Sequence, residues 1–565
     1  MARPKWMAEV VVLWAVGCSS NAKVDHRLGD HGGSGAGASA GSLSAGGNPS
    51  GNTSGGGTTT TGGHGNVPGD SGRPNGGRSG TSNGSSGDTG GGGESGDAGN
   101  GGTSDSGGAA GKNTAGNGGA SAAAGSGATA GAGGAAGSGP CGPLSAPCPA
   151  TTVVHLSAGG GAVCALFASG NVKCWGSNLY GHLGYGNTKN IGDDELPSAV
   201  GTVSLSKSAG VVAQQLSVGL THTCALLSDG TVKCWGRSAF GELGYGSTDN
   251  VGDDELPSDV TPVSVTTTPG ISVTQLSAGG THTCALLSDG TIKCWGQGDY
   301  GQLGYADGDD LGDDELPSDR PAVSVSTTPG VTVTQVSAGF SHTCALLSDG
   351  TVKCWGANQD GQLGRGTPNN LHDDELPSEV DPIPLTNTPG VIATAIQAGN
   401  TTSCALLSDG SVKCWGSAEE ELVGTGLTGP VLDPSSVGPI GVSTNPALSV
   451  TEIALGNLHA CVRLSDGACT CWGNSAYGQL GYGNTDTIGD DELPSSAGTV
   501  EVTTGSGVTV AEIVTGSSFT CALLSDDAVK CWGDNGGGEL GNGKIDGYAV
   551  GDDELPSSVG PVKLL

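Results

Sequence analysis

Short apolar stretches alternate with Gly-rich turns over the last two-thirds of the chain. In the segment from residue 273 to residue 326, stretches of this kind predict four strands, at 273–278, 282–287, 291–295 and 322–326. Tight turns join the first three strands, whereas the long segment 301–318 joins the third strand to the fourth. We therefore expect a small antiparallel sheet.

This unit recurs with a period of 60 residues, apart from one step of 57 residues. The first cysteines of the seven copies are Cys164, Cys224, Cys284, Cys344, Cys404, Cys461 and Cys521. Seven copies of four short strands predict an all-β fold, a seven-bladed β-propeller over residues 141–565. A β-solenoid is the alternative, although its coils are usually much shorter. Because the chain ends with a fourth-type strand, residues 562–565 are expected to pair beside the N-terminal copy and close the ring.

The N-terminus has the pattern of an export signal. Residues 1–18 contain Arg3 and Lys5, an apolar run at 10–16, and Gly17-Cys18. This segment resembles a bacterial lipoprotein signal peptide, which implies cleavage before Cys18 and lipidation of that cysteine. An ordinary secretory signal is the alternative. Both interpretations predict an exported protein, and the lipoprotein interpretation predicts a lipid-anchored protein of the outer membrane or cell surface.

Residues 19–140 consist almost entirely of Gly, Ser, Ala, Thr and Asn. Such a composition buries too little apolar surface to offset the entropy of ordering, which predicts a long disordered tether. A Gly-rich coil of this length spans roughly 60 Å. The tether is therefore long enough to hold a folded, monomeric head away from a membrane.

Eighteen cysteines are present, and fourteen of them form seven pairs spaced by ten residues. If 228–230 is a three-residue hairpin loop with Gly230 at positive φ, Cys224 lies opposite Cys234, within disulfide distance. The spacing does not suit zinc, and export favours oxidation. The predicted disulfides are Cys164–Cys174, Cys224–Cys234, Cys284–Cys294, Cys344–Cys354, Cys404–Cys414, Cys461–Cys471, Cys521–Cys531 and Cys141–Cys148. Cys469 remains, either as a free thiol or as a competitor for Cys461.

The formal net charge is −34, which makes nucleic acid an unlikely partner because an acidic domain repels phosphate backbones. Asp-Asp-Glu recurs at one loop position in six copies, as at 253–255. We interpret these clusters as turns with hydrogen bonds between blades. The alternatives are solvated charge, pairing with the blade lysines such as Lys233, and calcium binding, although the ligand spacing of an EF-hand is absent. No metal site or cofactor is assigned.

Other recurring residues have structural explanations. The tryptophan of each Cys-Trp-Gly is expected to pack between blades. Histidines recur at His222, His282, His342 and His459, but other copies have Ala162, Thr402 or Phe519 there, which favours a structural role over catalysis. The Gly-x-Leu-Gly segments are interpreted as turns with a buried leucine, because no strand-to-helix context suggests a phosphate loop.

The sequence HTCALLSDGTVKCWG followed by GQLG resembles the repeat of the RCC1 (regulator of chromosome condensation) family. The resemblance extends from about residue 151 to 565, and the paired cysteines with GDDELP resemble the exported bacterial branch. It implies a seven-bladed propeller. A family sibling that inhibits β-lactamase outside the cell implies protein binding, whereas the namesake implies guanine-nucleotide exchange.

Two function classes follow. The first is a non-enzymatic recognition module of the cell envelope that binds protein or glycan partners through variable loops. The second is an exchange factor by family analogy, which export argues against because the partner GTPases are cytoplasmic; calcium-dependent adhesion is a further alternative. Whatever is specific must lie where the copies differ, and the aberrant fifth copy is the first place to look. The candidate binding residues are Glu419, Glu420, Glu421 and Arg365.

Overall fold

Each copy of the repeat forms one three-stranded antiparallel sheet, and seven such sheets make up the folded part of the chain. The computed structural model describes residues 149–371, 375–417, 422–427, 429–544 and 549–565. The predictions for Cys18, for the tether and for Cys141–Cys148 lie outside these residues. The β-propeller prediction is confirmed.

The strands follow one another in chain order within each sheet. Their bounds are β1 Val153–Gly159, β2 Ala162–Phe167, β3 Val172–Gly176, β4 Ala213–Val218, β5 His222–Leu227, β6 Val232–Gly236, β7 Val273–Ala278, β8 His282–Leu287, β9 Ile292–Gly296, β10 Val333–Ala338, β11 His342–Leu347, β12 Val352–Gly356, β13 Ala393–Ala398, β14 Thr402–Leu407, β15 Val412–Gly416, β16 Val450–Leu455, β17 His459–Leu464, β18 Cys469–Gly473, β19 Val510–Thr515, β20 Phe519–Leu524 and β21 Val529–Gly533. Short 3₁₀ turns lie at Pro197–Ala199, Pro317–Asp319, Pro377–Glu379, Pro434–Ser436 and Pro556–Ser558, and a four-residue α-helix lies at Pro494–Ala497.

The hairpin between the second and third strands has the predicted three-residue loop. In the second copy the Leu227 N–H donates to Thr231 O at 2.8 Å, and Gly230 has φ +81°. The Asp229 carboxylate accepts from the Thr231 N–H at 3.1 Å, a local bond that favours the turn. This register puts Cys224 opposite Cys234.

A disulfide joins the two cysteines of every copy, as the register predicts, with Cα–Cα distances of 4.0 or 4.1 Å. The remaining cysteine on β18, Cys469, is free and buried. Burial raises the pKa of its thiol to about 12, so it does not compete for Cys461 as a thiolate.

The prediction of a fourth strand in each repeat is wrong. The segment predicted as this strand pairs with the third strand at a single residue. In the second copy, the Val263 N–H donates to Val232 O at 2.9 Å. The next residue then turns towards the neighbouring copy, since Ser264 O accepts from the Ser318 N–H at 2.9 Å. One paired residue for each copy is too little to extend the sheet.

The ring closes differently from the prediction. The Val562 N–H donates to Val529 O of β21, in its own copy, so residues 562–565 do not complete a sheet of the N-terminal copy. The last and first copies instead meet through contacts between sheets. The Ser517 N–H donates to Gly160 O at 2.8 Å, and His155 Nδ1 lies 2.6 Å from Glu512 Oε1. These contacts exclude the open solenoid.

The core lies between neighbouring sheets. The seven tryptophans are fully buried, and each indole N–H donates to a backbone carbonyl of the preceding copy. The prediction that they pack between blades is confirmed, which leaves none of them free as a ligand platform. They are Trp175, Trp235, Trp295, Trp355, Trp415, Trp472 and Trp532.

Candidate functional site

One face of the ring carries most of the differences between copies. The turns between first and second strands lie at this end of the sheets, and so do the loops that follow the third strands. The two are tied together, since the Ser177 N–H donates to Gly161 O at 2.8 Å and the Arg237 N–H to Thr221 O at 3.0 Å. We call this surface the loop face. The disulfide-bridged hairpins point the other way.

The centre of the loop face is an axial cavity of only about 60 Å³. Its lining consists mainly of glycines from the seven first turns, with Leu220 and Phe340 among them. Glycine is required because a Cβ on Gly219 would lie 2.5 Å from the carbonyl oxygen of Gly279 in the next copy. The cavity has room for a few water molecules, so the recognition of a larger partner must use the surface around it.

The recurring histidines belong to a buried network between blades. The Thr283 hydroxyl donates to Glu242 O at 2.9 Å, and the Trp295 indole donates to the same carbonyl. Because the Thr283 proton is used in this way, His222 Nε2, 2.8 Å away, must be the donor to the Thr283 oxygen. His222 Nδ1 is then a buried acceptor without a partner among the described residues. The structural role predicted for these histidines is confirmed.

Burial keeps these histidines neutral. It lowers the pKa of His282 from 6.5 to about 3, with smaller contributions from His342 and His222. Below pH 6.5 the unfolded chain binds a proton at this position and the folded chain does not. The stability contributed by His282 is therefore complete above pH 6.5 and is lost as the pH falls towards 3.

Replacing His282 with phenylalanine, the residue of the seventh copy, is expected to remove this pH dependence. The free energy of unfolding of the wild type, relative to His282→Phe, should fall by about 1.4 kcal/mol per pH unit below pH 6.5. Urea unfolding of both proteins at pH 7.5, 6 and 5 measures the difference, in which all other titrations cancel. A difference independent of pH would contradict the neutral buried histidine.

Within the described residues, the blade lysines do not pair with the acidic clusters. Each lysine instead donates to backbone carbonyls after the cluster of its own copy, as Lys173 Nζ does to Pro197 O at 3.0 Å. Lys233, Lys293, Lys353, Lys413 and Lys530 make equivalent bonds. This geometry explains why the lysine persists in the fifth copy, which lacks the cluster.

The acidic clusters lie where neighbouring copies meet on the loop face. The Gly246 N–H of one copy donates to Gly312 O, directly before the cluster 313–315 of the next, at 3.0 Å. Five described clusters each bring three carboxylate oxygens within 4.8 Å of one another. Burial, together with Asp194 and Asp193, raises the pKa of Glu195 to about 7. The backbone next to the clusters thus forms contacts between blades, and the carboxylates concentrate negative charge there; the geometry by itself selects no ion.

Aromatic side chains and an arginine lie on the loop face at the junction of the first two copies. The guanidinium carbon of Arg237 lies 5.8 Å from the Tyr180 ring centre and 5.0 Å from that of Phe240. Tyr300 follows at the same position of the third copy, and all four residues are half-buried. Aromatic residues occupy this position in four of the seven copies, Tyr477 included, whereas Arg237 has no counterpart in the other copies. The arginine is therefore the signal that the sequence offers.

Only one of the four predicted binding residues, Arg365, lies in the described part of the chain. Arg365 is half-buried and lies beside the contact between the fourth and fifth copies, where the Gly366 N–H donates to Leu432 O at 2.7 Å. Glu419, Glu420 and Glu421 lie outside the described residues.

Sequence reasoning missed two exposed leucines at the opposite edge of the fifth copy. Leu427 is 50 % exposed and Leu493 of the sixth copy is 47 % exposed, whereas the leucines equivalent to Leu493 are half-buried. The Gly426 N–H donates to Gly489 O at 3.2 Å, which holds the two segments together. We call Leu427, Leu493 and the acids Asp490, Asp491 and Glu492 the fifth-seam patch.

Nothing in the described part of the chain resembles a catalytic set. Its histidine–hydroxyl pairs are completely buried, and the hydroxyl proton is already donated to a carbonyl. Within the same residues, no helix has the length and apolar character needed to cross a membrane.

The fold and the loop face together define a class of protein, a seven-bladed β-propeller that presents variable loops on a rigid ring. The RCC1-like domain profile matches residues 114–437, more than half of the chain. RCC1 (regulator of chromosome condensation) repeat profiles match residues 450–479, 510–539 and 466–523. The chain therefore belongs to the RCC1-like family.

Two relatives match part of the chain. The chain is 29 % identical over 347 residues to the E3 ubiquitin-protein ligase HERC2 of Homo sapiens, covering 60 % of this chain and 6 % of the ligase. It is 30 % identical over 329 residues to the ultraviolet-B receptor UVR8 of Arabidopsis thaliana, covering 58 % and 66 %. The chain thus spans less than two-thirds of either relative.

Solved structures agree on the fold. Yeast RCC1 (Prp20) bound to Kap60 is similar with a TM-score of 0.53 and 20 % identity, over 70 % of this chain and 83 % of the other. Prp20p from Saccharomyces cerevisiae has a TM-score of 0.53 and 21 % identity, over 70 % and 86 %.

Proposed function

We propose that this protein is a non-enzymatic recognition module of the bacterial cell envelope, which binds a protein partner through the loop face. The observation that carries the proposal is that the buried positions of the repeat recur whereas the loop-face positions vary. The buried network between blades recurs around the ring, whereas the loop-face position of Arg237 is Ser177, Gln297, Asn474 or Asp534 in other copies. Residues that vary on a rigid scaffold are the usual carriers of specificity.

The chemistry of the loop face supports a protein partner. Arginine and aromatic residues are enriched at protein interfaces, and Arg237 between Tyr180 and Phe240 combines both. The similar yeast proteins bind protein partners: RCC1 (Prp20) is bound to Kap60 in one structure, and Prp20p binds Gsp1p and histones. The seven disulfides suit a rigid module that works outside the cytoplasm.

Site-specific photo-crosslinking in intact cells tests the proposal. A photoreactive amino acid in place of Phe240 or Tyr300 is expected to capture a protein, whereas the same group in place of Ile392 is not. Ile392 is a matched control because it is 47 % exposed and lies beside the hairpin on the opposite face, where the Ser408 N–H donates to its carbonyl. If neither position 240 nor position 300 gives an adduct, or if adducts form only at position 392, the proposal is wrong.

The second part of the proposal is the anchor. Wild-type protein is expected to incorporate an alkyne fatty acid and to fractionate with the outer membrane, whereas Cys18→Ala should lose the label and be released or retained as precursor. Cys141→Ala, a change of the same type in the same region of the chain, should keep the label. Absence of the label from the wild type would instead favour an ordinary secretory signal, and equal labelling of Cys18→Ala would place the lipid on another residue.

A further inference from the structure

The fifth-seam patch exists because one leucine loses its cover. In other copies the leucine before the proline packs under a glycine loop of the preceding copy. Leu256 Cδ2 lies 3.4 Å from the position of a Cβ on Gly186, and Leu555 Cδ2 lies equally far from that of Gly483. At the equivalent Gly426, the nearest atom is Glu492 O at 3.9 Å. The Leu493 side chain lacks this cover. It lies beside Gly441 instead, with Cδ1 3.2 Å from the position of a Cβ there, and is nearly half exposed.

The fifth copy also adds apolar surface at the same place. Leu427 occupies a position that is polar in every other copy, as Asn187, Ser247, Asp307, Thr367, Asn484 and Lys544. Exposure of two leucines on neighbouring segments to water is unfavourable. Contiguous apolar surface of this kind marks interaction sites.

A polar atom beside the two leucines also lacks a partner. In the sixth copy the Tyr482 hydroxyl lies 3.1 Å from both the N and the O of Cys471 and satisfies them. The fifth copy has Thr425 at this position, and Thr425 Oγ1 is buried without a hydrogen-bond partner among the described residues. The loss of the tyrosine ring removes bulk next to Leu427 and leaves this hydroxyl without the hydrogen bonds that the tyrosine makes in the sixth copy.

Acidic side chains border the leucines. Asp490 and Asp491 are exposed, directly before the half-buried Glu492 and Leu493. We propose that the fifth-seam patch is the docking site for a protein segment that presents an apolar side chain flanked by lysine or arginine. The inference rests on the proposed function and adds to it the location and the partner chemistry. The apolar residue covers Leu427 and Leu493, and the cations meet the carboxylates at the rim, where charge complementarity gives specificity and speed.

Fluorescence anisotropy with the full-length chain tests the site. The probes are three short labelled peptides: one with leucines and lysines, one with glutamates in place of the lysines, and one with serines in place of the leucines. The wild type is expected to bind the first peptide at least about tenfold more tightly than the other two. Leu427→Ser/Leu493→Ser should weaken that binding about tenfold, whereas Leu179→Ser, a change at a leucine 60 % exposed elsewhere on the loop face, should leave it unchanged.

The charge requirement has its own matched control. Neutralising the sixth-copy cluster with Asp490→Asn/Asp491→Asn/Glu492→Gln should weaken binding several-fold more than Asp552→Asn/Asp553→Asn/Glu554→Gln. The seventh-copy cluster has the same three acids, but its leucine is covered. Equal effects of the two cluster variants, or unchanged binding by the leucine variant, would overturn the site.

Two outcomes separate this inference from the proposed function. If a photoreactive group at Phe240 captures a protein equally well in the wild type and in Leu427→Ser/Leu493→Ser, the recognition module stands and the fifth-seam patch fails. If the chain binds zwitterionic lipid vesicles and the leucine variant abolishes that binding, the patch is a membrane contact and the protein-docking inference is wrong.

Discussion

Replacing Trp295 with alanine is expected to lower the free energy of unfolding by about 3–5 kcal/mol, a typical cost of truncating a buried tryptophan. Trp295 has no exposed surface and packs between the second and third copies. Its indole N–H donates to Glu242 O at 2.9 Å. The change therefore opens a cavity between two blades, whose contacts also hold the ring together. Urea unfolding followed by circular dichroism measures the loss.

Trp295→Phe separates packing from hydrogen bonding. Phenylalanine keeps most of the aromatic volume but has no donor, and Glu242 O still accepts from the Thr283 hydroxyl. We expect a smaller loss, roughly 1–2 kcal/mol, because no buried carbonyl is left without a partner. If the alanine and phenylalanine variants lose the same stability, the indole does not act by filling the interface.

The second large effect is a gain in stability. Glu539→Gln is expected to stabilise the protein by roughly 3 kcal/mol at pH 7. Glu539 is buried, its Oε2 accepts from the Gly537 N–H at 2.7 Å, and burial raises its pKa to about 8. The third copy has Gln302 at this position, where Gln302 Oε1 accepts from the Tyr300 N–H at 2.9 Å. Glutamine supplies the same acceptor without a titrating group.

The sign follows from the protons bound in each state. The pKa of Glu539 is raised from its ordinary value of 4.5 to about 8 by folding. Between these two pH values the folded protein keeps a proton on Glu539 that the unfolded chain has released. The free energy of unfolding of the wild type, relative to Glu539→Gln, therefore falls by about 1.4 kcal/mol per pH unit over this range. The gain should be small at pH 4.5 and largest near pH 8, as thermal or urea unfolding at pH 4.5, 6 and 8 will measure.

The reverse substitution is the matched control. Gln302→Glu should lower stability at pH 7 by a similar amount and have little effect at pH 4.5. Gln302 suits this test because its Nε2 has no partner among the described residues, so the substitution removes no bond from that atom. A gain from Glu539→Gln that does not change with pH would point to packing in place of titration.

Local pattern determined the hairpins well, because all of the relevant interactions lie within about ten residues. The Asp-Gly turn sets the register of β5 against β6, and that register places Cys224 opposite Cys234. The same reasoning failed for the fourth strand and for residues 562–565. Their backbone partners depend on where a neighbouring copy lies, as when Ser264 O turns to Ser318. No pattern within one repeat contains that information.

The candidate site divides in the same way. The sequence predicted that specificity lies where copies differ, and it singled out the fifth copy. It did not predict that Leu493 of the sixth copy is uncovered, because the cause is a change in the preceding copy. Nor did it predict that Arg237 lies between Tyr180 and Phe240, which come from two copies.

The sequence by itself determined the number of blades, the order of the first three strands in each copy and the seven disulfides, since a 60-residue period and short-range turn chemistry suffice for all of these. Only the tertiary structure decided how the ring closes, which carbonyls hold the tryptophans, why the histidines are neutral and where apolar surface is left exposed. These properties arise from contacts between copies. Each depends on burial by a neighbour that lies far away along the chain.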